Sequence, residues 1–221
     1  MAQLILTALI NLTVITPLIA MGMNKPDYKW KCLLLFASFY VVCSCLVSFP
    51  SWMSDLRIIE GEWNWSGKIY GIVGSILFLM VFRKELGDHN FITLRQRKTS
   101  LKPKLIITMI AFVVAVVLAV ISILKSGERF EYYLFQFTMP GLDEELAYRG
   151  IMLGLLSNAL KSRMSIRNIS LGNPALLITS ILFGLGHSFQ IDPNWGFHQN
   201  WVEFISSSAI GLLLGWLTLR S

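Results

Sequence analysis

Apolar runs about as long as a bilayer is thick recur along this chain, and they constrain its fold more than any other feature. A hydrocarbon core needs about 20 mainly apolar residues per crossing helix. Runs of that kind fall at 2–23, 30–53, 67–82, 105–125, 132–158, 174–190 and 201–219. No water reaches amides at that depth, so each run must satisfy its own backbone, as a helix does. The expectation is an all-α, polytopic transmembrane bundle of about seven spans. Charged residues make up 14% of the chain, against roughly a quarter in soluble domains. A length of 221 residues then leaves room for one bundle and no sizeable soluble domain.

The net charge of +6 does not point to nucleic acid, because the basic residues lie between the apolar runs. Lys25, Lys29 and Lys31 follow the first run, and Arg83, Lys84, Arg95, Arg97, Lys98, Lys102 and Lys104 follow the third. Lys161, Arg163 and Arg167 follow the fifth, and Arg220 follows the seventh. The alternate loops hold Arg57, Lys68, Lys125 and Arg129, offset by Asp55, Glu60, Glu62, Glu128 and Glu131. The positive-inside rule therefore puts the N-terminus outside and the basic loops in the cytoplasm. Trp30, Trp52, Trp63, Trp65, Trp195 and Trp201 lie near run ends, as an interfacial belt would place them. Cys32, Cys43 and Cys45 share one run, an odd set that argues for packing rather than for disulfides or a thiolate metal site. Gly150-xxx-Gly154 and Gly211-xxx-Gly215 are small-residue spacings suited to close helix packing.

Ionisable residues inside a span cost on the order of 3 kcal/mol each and call for a reason. The fifth run carries Pro140-Gly141-Leu142-Asp143-Glu144-Glu145-Leu146-Ala147-Tyr148-Arg149-Gly150. Pro140-Gly141 is expected to break the helix, with Asp143 as the N-cap of a new helical segment. Glu145 and Arg149, four apart, share a helix face and neutralise each other. Glu144 points about 100° away in that helix and is expected to lack a counter-cation, which suits a general base. In the sixth run, Phe183-Gly184-Leu185-Gly186-His187 puts Phe183 and His187 on one face, with glycines that admit a close neighbour. A carboxylate and an imidazole on neighbouring helices can activate water between them.

Glu144-Glu145-x-x-x-Arg149, ending Tyr148-Arg149-Gly150, followed by Phe183-x-x-x-His187, resembles the first two motifs of the CPBP family. That family comprises type II CAAX prenyl endopeptidases and related bacteriocin-processing or immunity proteins. The resemblance covers 130–219, the CPBP-like core, while 1–125 matches only as hydrophobic spans within one transmembrane domain. It implies an intramembrane endopeptidase that cleaves a membrane-associated or prenylated substrate with a glutamate-activated water. Glu144 would be the base and His187 its partner or the stabiliser of the developing oxyanion. Glu145, Arg149 and Phe183 would support them. The implied partners are a peptide or protein substrate and the bilayer.

The family's third motif, His-x-x-x-Asn on a further helix, has no counterpart here: His89 and His198 stand in no such pattern, and the chain stops at Ser221. The expectation is a chain truncated before an eighth span. A non-catalytic scaffold or immunity protein on the same fold is the alternative, and a small transporter is a third reading, weakened by the lack of an internal repeat. The leading expectation is that no cofactor is used; zinc on Glu144 and His187 is the minor alternative, since zinc needs three ligands and these amount to two.

Overall fold

The computed structural model describes residues 2–23, 29–89, 91–92, 106, 109, 113, 117, 130–166 and 169–220. The first three helices are α1 (Ala2–Gly22), α2 (Trp30–Trp52) and α3 (Trp65–Leu86). The fifth run forms α4 (Phe130–Glu144), a π-helix (Glu145–Met152) and α5 (Leu153–Ala159). A short hairpin of β1 (Met164–Ile166) and β2 (Ile169–Gly172) leads to α6 (Pro174–Ser188). A second hairpin, β3 (Phe189–Ile191) with β4 (Phe197–Gln199), then leads to α7 (Trp201–Leu219).

Helices α1, α2, α3 and α7 are each long and apolar enough to cross a membrane. Their ends reflect local chemistry. Asn64 caps α3 by accepting the Gly67 N–H, and Asn200 caps α7 by accepting the Glu203 N–H. Helix α6 starts on an Asn173 cap with Pro174 in its first turn and is only 15 residues long. The fourth run and most of the basic 83–104 segment lie outside the described residues. Within that run, Ile106, Met109, Val113 and Val117 are helical and exposed.

The fifth run departs from its expectation. Pro140-Gly141 does not break the helix, and Asp143 is not an N-cap: α4 runs through both, up to Glu144. A frayed turn at that depth would leave amides without partners, so the chain stays helical. The irregularity appears instead at Glu145–Met152, where the hydrogen bonds widen to the π pattern. From Gly150 to Leu156 every residue is buried. This segment is the pillar of the core, with Ile151, Leu153, Leu155 and Leu156 set against Ile15 of α1, Phe36 of α2 and Ile178 and Leu182 of α6.

Two tryptophans also differ from the belt expectation. Trp63 stacks on Phe135 at 5.6 Å between ring centres, and buried Trp65 donates its indole N–H to Glu131. They pin the start of α4 to the start of α3 instead of facing lipid. Glycines elsewhere set how closely helices approach. The Gly150–Gly154 face receives Ile92 and the chain after α3, so it is an internal packing face. Gly184 on α6 faces α7, where an added Cβ would overlap the Ser208 hydroxyl and come within 2.8 Å of the Phe204 carbonyl oxygen.

A backbone carbonyl cannot swing aside, so Gly184→Ala is expected to push α6 and α7 apart at a cost of about 1–3 kcal/mol. Thermal unfolding of the purified protein in detergent checks this. An unchanged midpoint would mean that the α6–α7 contact is not tight.

Candidate functional site

The polar residues of the fifth and sixth runs meet at one place inside the bundle. Glu144 ends α4, and His187 lies in the last turn of α6. Glu144 Oε2 stands 3.8 Å from His187 Nε2. That is too long for a direct hydrogen bond. His187 Nδ1 is 2.8 Å from the Phe183 carbonyl, four residues back on its own helix. A carbonyl only accepts, so Nδ1 carries the hydrogen, and in the neutral ring Nε2 presents a lone pair toward Glu144.

The expectation that Glu144 lacks a counter-cation is not met. Lys68 Nζ lies 2.8 Å from Glu144 Oε1 and 2.9 Å from Asp143 Oδ2. The place of Lys68 in the sequence assigns it to an outer loop, yet it sits in the first turns of α3, with its side chain largely enclosed. Asn64 positions that turn, and Gly71, one turn further along α3, leaves the space that Asp143 occupies; a Cβ there would overlap Asp143 Oδ1. A lysine at the edge of an apolar run is the available signal, since an ionisable group at membrane depth is a functional hypothesis by default.

Glu145 and Arg149 do meet, with Oε1 3.3 Å from Nη1. The pair is lopsided, because the Glu145 side chain is 43% exposed and that of Arg149 only 6%. Arg149 also lies against two aromatic rings. Its guanidinium lies 4.4 Å from the centre of the Phe183 ring and 5.9 Å from that of Tyr148. Phe183 also touches His187 at 4.4 Å between ring centres and Tyr148 edge-on at 5.1 Å. The two motifs are thus joined through one phenyl ring. Gly186 leaves room for the Tyr148 hydroxyl, which would lie 3.1 Å from an added Cβ.

A cavity of about 660 Å³ opens beside these residues. Lys68, Glu144 and His187 line it together with Asn11, Tyr40, and Ile191 and Pro193 of the second hairpin. That volume lies within the range of small-ligand sites, roughly 300–1,000 Å³. That hairpin is held by Asp192, which accepts from the Asn194 and Gly196 N–H groups and pairs with His198 Nε2 at 2.9 Å. The three cysteines are free thiols. Among the described residues no group of three or more His, Cys, Asp or Glu is gathered to hold a metal ion, and an ammonium occupies the place between Asp143 and Glu144.

Two measurements test this geometry. Phe183→Leu keeps an apolar group but removes the ring under Arg149, so it is expected to cost about 2 kcal/mol of stability in detergent. Glu145→Gln, changing the more exposed partner, is expected to cost less; the reverse order would make the ion pair the main support of Arg149. The second concerns the second hairpin. The His198 hydrogen bond, with that from the Gly196 N–H next in weight, holds the Asp192 carboxyl below the usual aspartate range. A depressed carboxyl stabilises its fold above the unfolded value, near 3.9, and loses that contribution as pH falls through the folded value. Hydrogen-exchange protection of the Gly196 amide is therefore expected to be flat above about pH 5 and to fall only below about pH 4. Loss of protection already near pH 6 would contradict it.

No curated protein and no solved structure matches the chain significantly. A family model does: that of the type II CAAX prenyl endopeptidase Rce1-like proteins matches residues 109–221. The matched segment contains Glu144, Glu145, Arg149, Phe183 and His187, and it excludes Lys68. Four apolar helices of spanning length and membership of a membrane-protease family make this an integral membrane protein of peptidase descent. The chain belongs to the type II CAAX prenyl endopeptidase Rce1-like family.

Proposed function

We infer that the protein is an intramembrane endopeptidase whose hydrolytic water is held between Glu144 and His187. One observation carries the reading. Glu144 Oε2 and His187 Nε2 stand 3.8 Å apart beside a cavity, and in the neutral ring, whose Nδ1 hydrogen goes to the Phe183 carbonyl, both are acceptors. Two acceptors cannot bond to each other, whereas one water can donate a hydrogen to each. Glu144 takes a proton from that water as its oxygen attacks the scissile carbonyl carbon. The C–N bond then breaks, and the proton held by Glu144 passes to the leaving amine, so the carboxylate is restored. His187 Nε2 orients the water, while Arg149 and Phe183 hold the helices that carry the pair. The step uses these side chains and water, and no cofactor is invoked.

The substrate under this reading is a membrane-associated peptide, with a prenylated C-terminus as the first choice from the family. The orientation consistent with the loop charges has seven spans, the N-terminus outside and the 83–104 and 161–172 segments in the cytoplasm.

Glu144→Gln keeps the size of the side chain but removes the base. Cleavage of an internally quenched, farnesylated CAAX-type peptide is expected to fall 10²- to 10⁴-fold. Membrane yield should stay near wild type, because Asp143 still pairs with Lys68. Full activity of Glu144→Gln at normal yield would overturn the hydrolytic reading in favour of a non-catalytic scaffold.

A further inference from the structure

We propose that Lys68, which lies on α3 outside the family-matched segment, is the positioning residue for the Glu144 base. This rests on the reading of Glu144 as the hydrolytic base. The two oxygens of Glu144 have separate partners: Oε1 is 2.8 Å from the Lys68 ammonium, and Oε2 alone faces His187. The terminal torsion of a glutamate is broad and roughly two-fold. An untethered carboxylate would swing its oxygens away from the water site, and a tethered one cannot.

The tether is itself fixed. Asp143 Oδ2 holds the same ammonium at 2.9 Å, and Asp143 reaches it across Gly71, three residues after Lys68 on the same face of α3. Asn64, through its cap on Gly67, sets the turn from which Lys68 projects. A lysine bound by two carboxylates and largely enclosed is not available to a substrate carboxylate, so its action is on Glu144. The orienting cation of the site thus comes from the part of the chain that the family pattern does not describe. Hydrolysis in this protein depends on how α3 docks against α4.

The test uses the full chain in detergent. Lys68→Met strands two carboxylates and endangers folding, so it is paired with Lys68→Met/Asp143→Asn, which keeps the net charge of the cluster. With the farnesylated CAAX-type peptide, the double variant is expected to lose about 10²-fold in kcat with KM within a few-fold, as misplacement of a reacting group does. Lys68→Arg is expected to recover much of the loss. Wild-type kcat in the double variant, or a loss confined to KM, would overturn the proposal. A second readout needs no substrate: modification of Glu144 by dicyclohexylcarbodiimide, read by mass spectrometry. Glu144 is expected to be labelled several-fold faster in the double variant than in wild type, and Lys68→Arg to stay protected. Equal labelling would sink the positioning role even if Glu144→Gln is inactive. A wild-type protein that cleaves nothing but shows the labelling difference would sink only the hydrolytic reading.

Discussion

One largely enclosed ammonium between two carboxylates organises the centre of this protein. Charges taken out of water are costly, and the cost is met only by close pairing. Lys68 supplies one positive charge to Asp143 and Glu144, at 2.9 and 2.8 Å. Helix α3 must therefore lie close enough to α4 for a lysine to bridge them, which requires a glycine at position 71. The cluster is also left with more acid than base, and Glu144, at the cavity wall, is the acid placed opposite His187.

The rest of the core serves to keep that arrangement in register. The π-helix Glu145–Met152 carries Arg149 inward and continues into α5, whose residues are buried almost all round. A helix apolar on every side belongs in an interior. Phe183 then ties the second motif to the first, since the same ring meets Arg149 and His187. Its carbonyl also fixes which nitrogen of the neutral imidazole carries the hydrogen. One residue of α6 therefore sets both the packing of the arginine and the chemistry presented by the histidine.

Much of this is legible in the residue order. The apolar run at 201–219 coincides with α7 at Trp201–Leu219, and the i,i+4 spacing correctly joins Glu145 to Arg149. The role of Lys68 is not legible, because its partners lie 75 and 76 residues away and loop charges are sorted by neighbourhood in sequence. Nor is the unbroken passage through Pro140. A proline ends most helices in water, but apolar surroundings raise the cost of loosened amides and favour a widened helix instead. The second hairpin does leave a trace, in Asp192-Pro193-Asn194-Trp195-Gly196. These are turn-forming residues, with Trp195 at a positive φ of 66°.

The organising role of the lysine–carboxylate cluster is tested most directly by a stability cycle. Unfolding in detergent would be measured for Lys68→Met, for Asp143→Asn/Glu144→Gln, and for the triple variant that combines them. Breaking a buried pair from one side costs about 3–5 kcal/mol, whereas removing both sides is often neutral. A large loss is expected for Lys68→Met, and near wild-type stability for the triple variant. A triple variant whose loss equals the sum of the separate losses would contradict that role, because the three residues would then not act on one another.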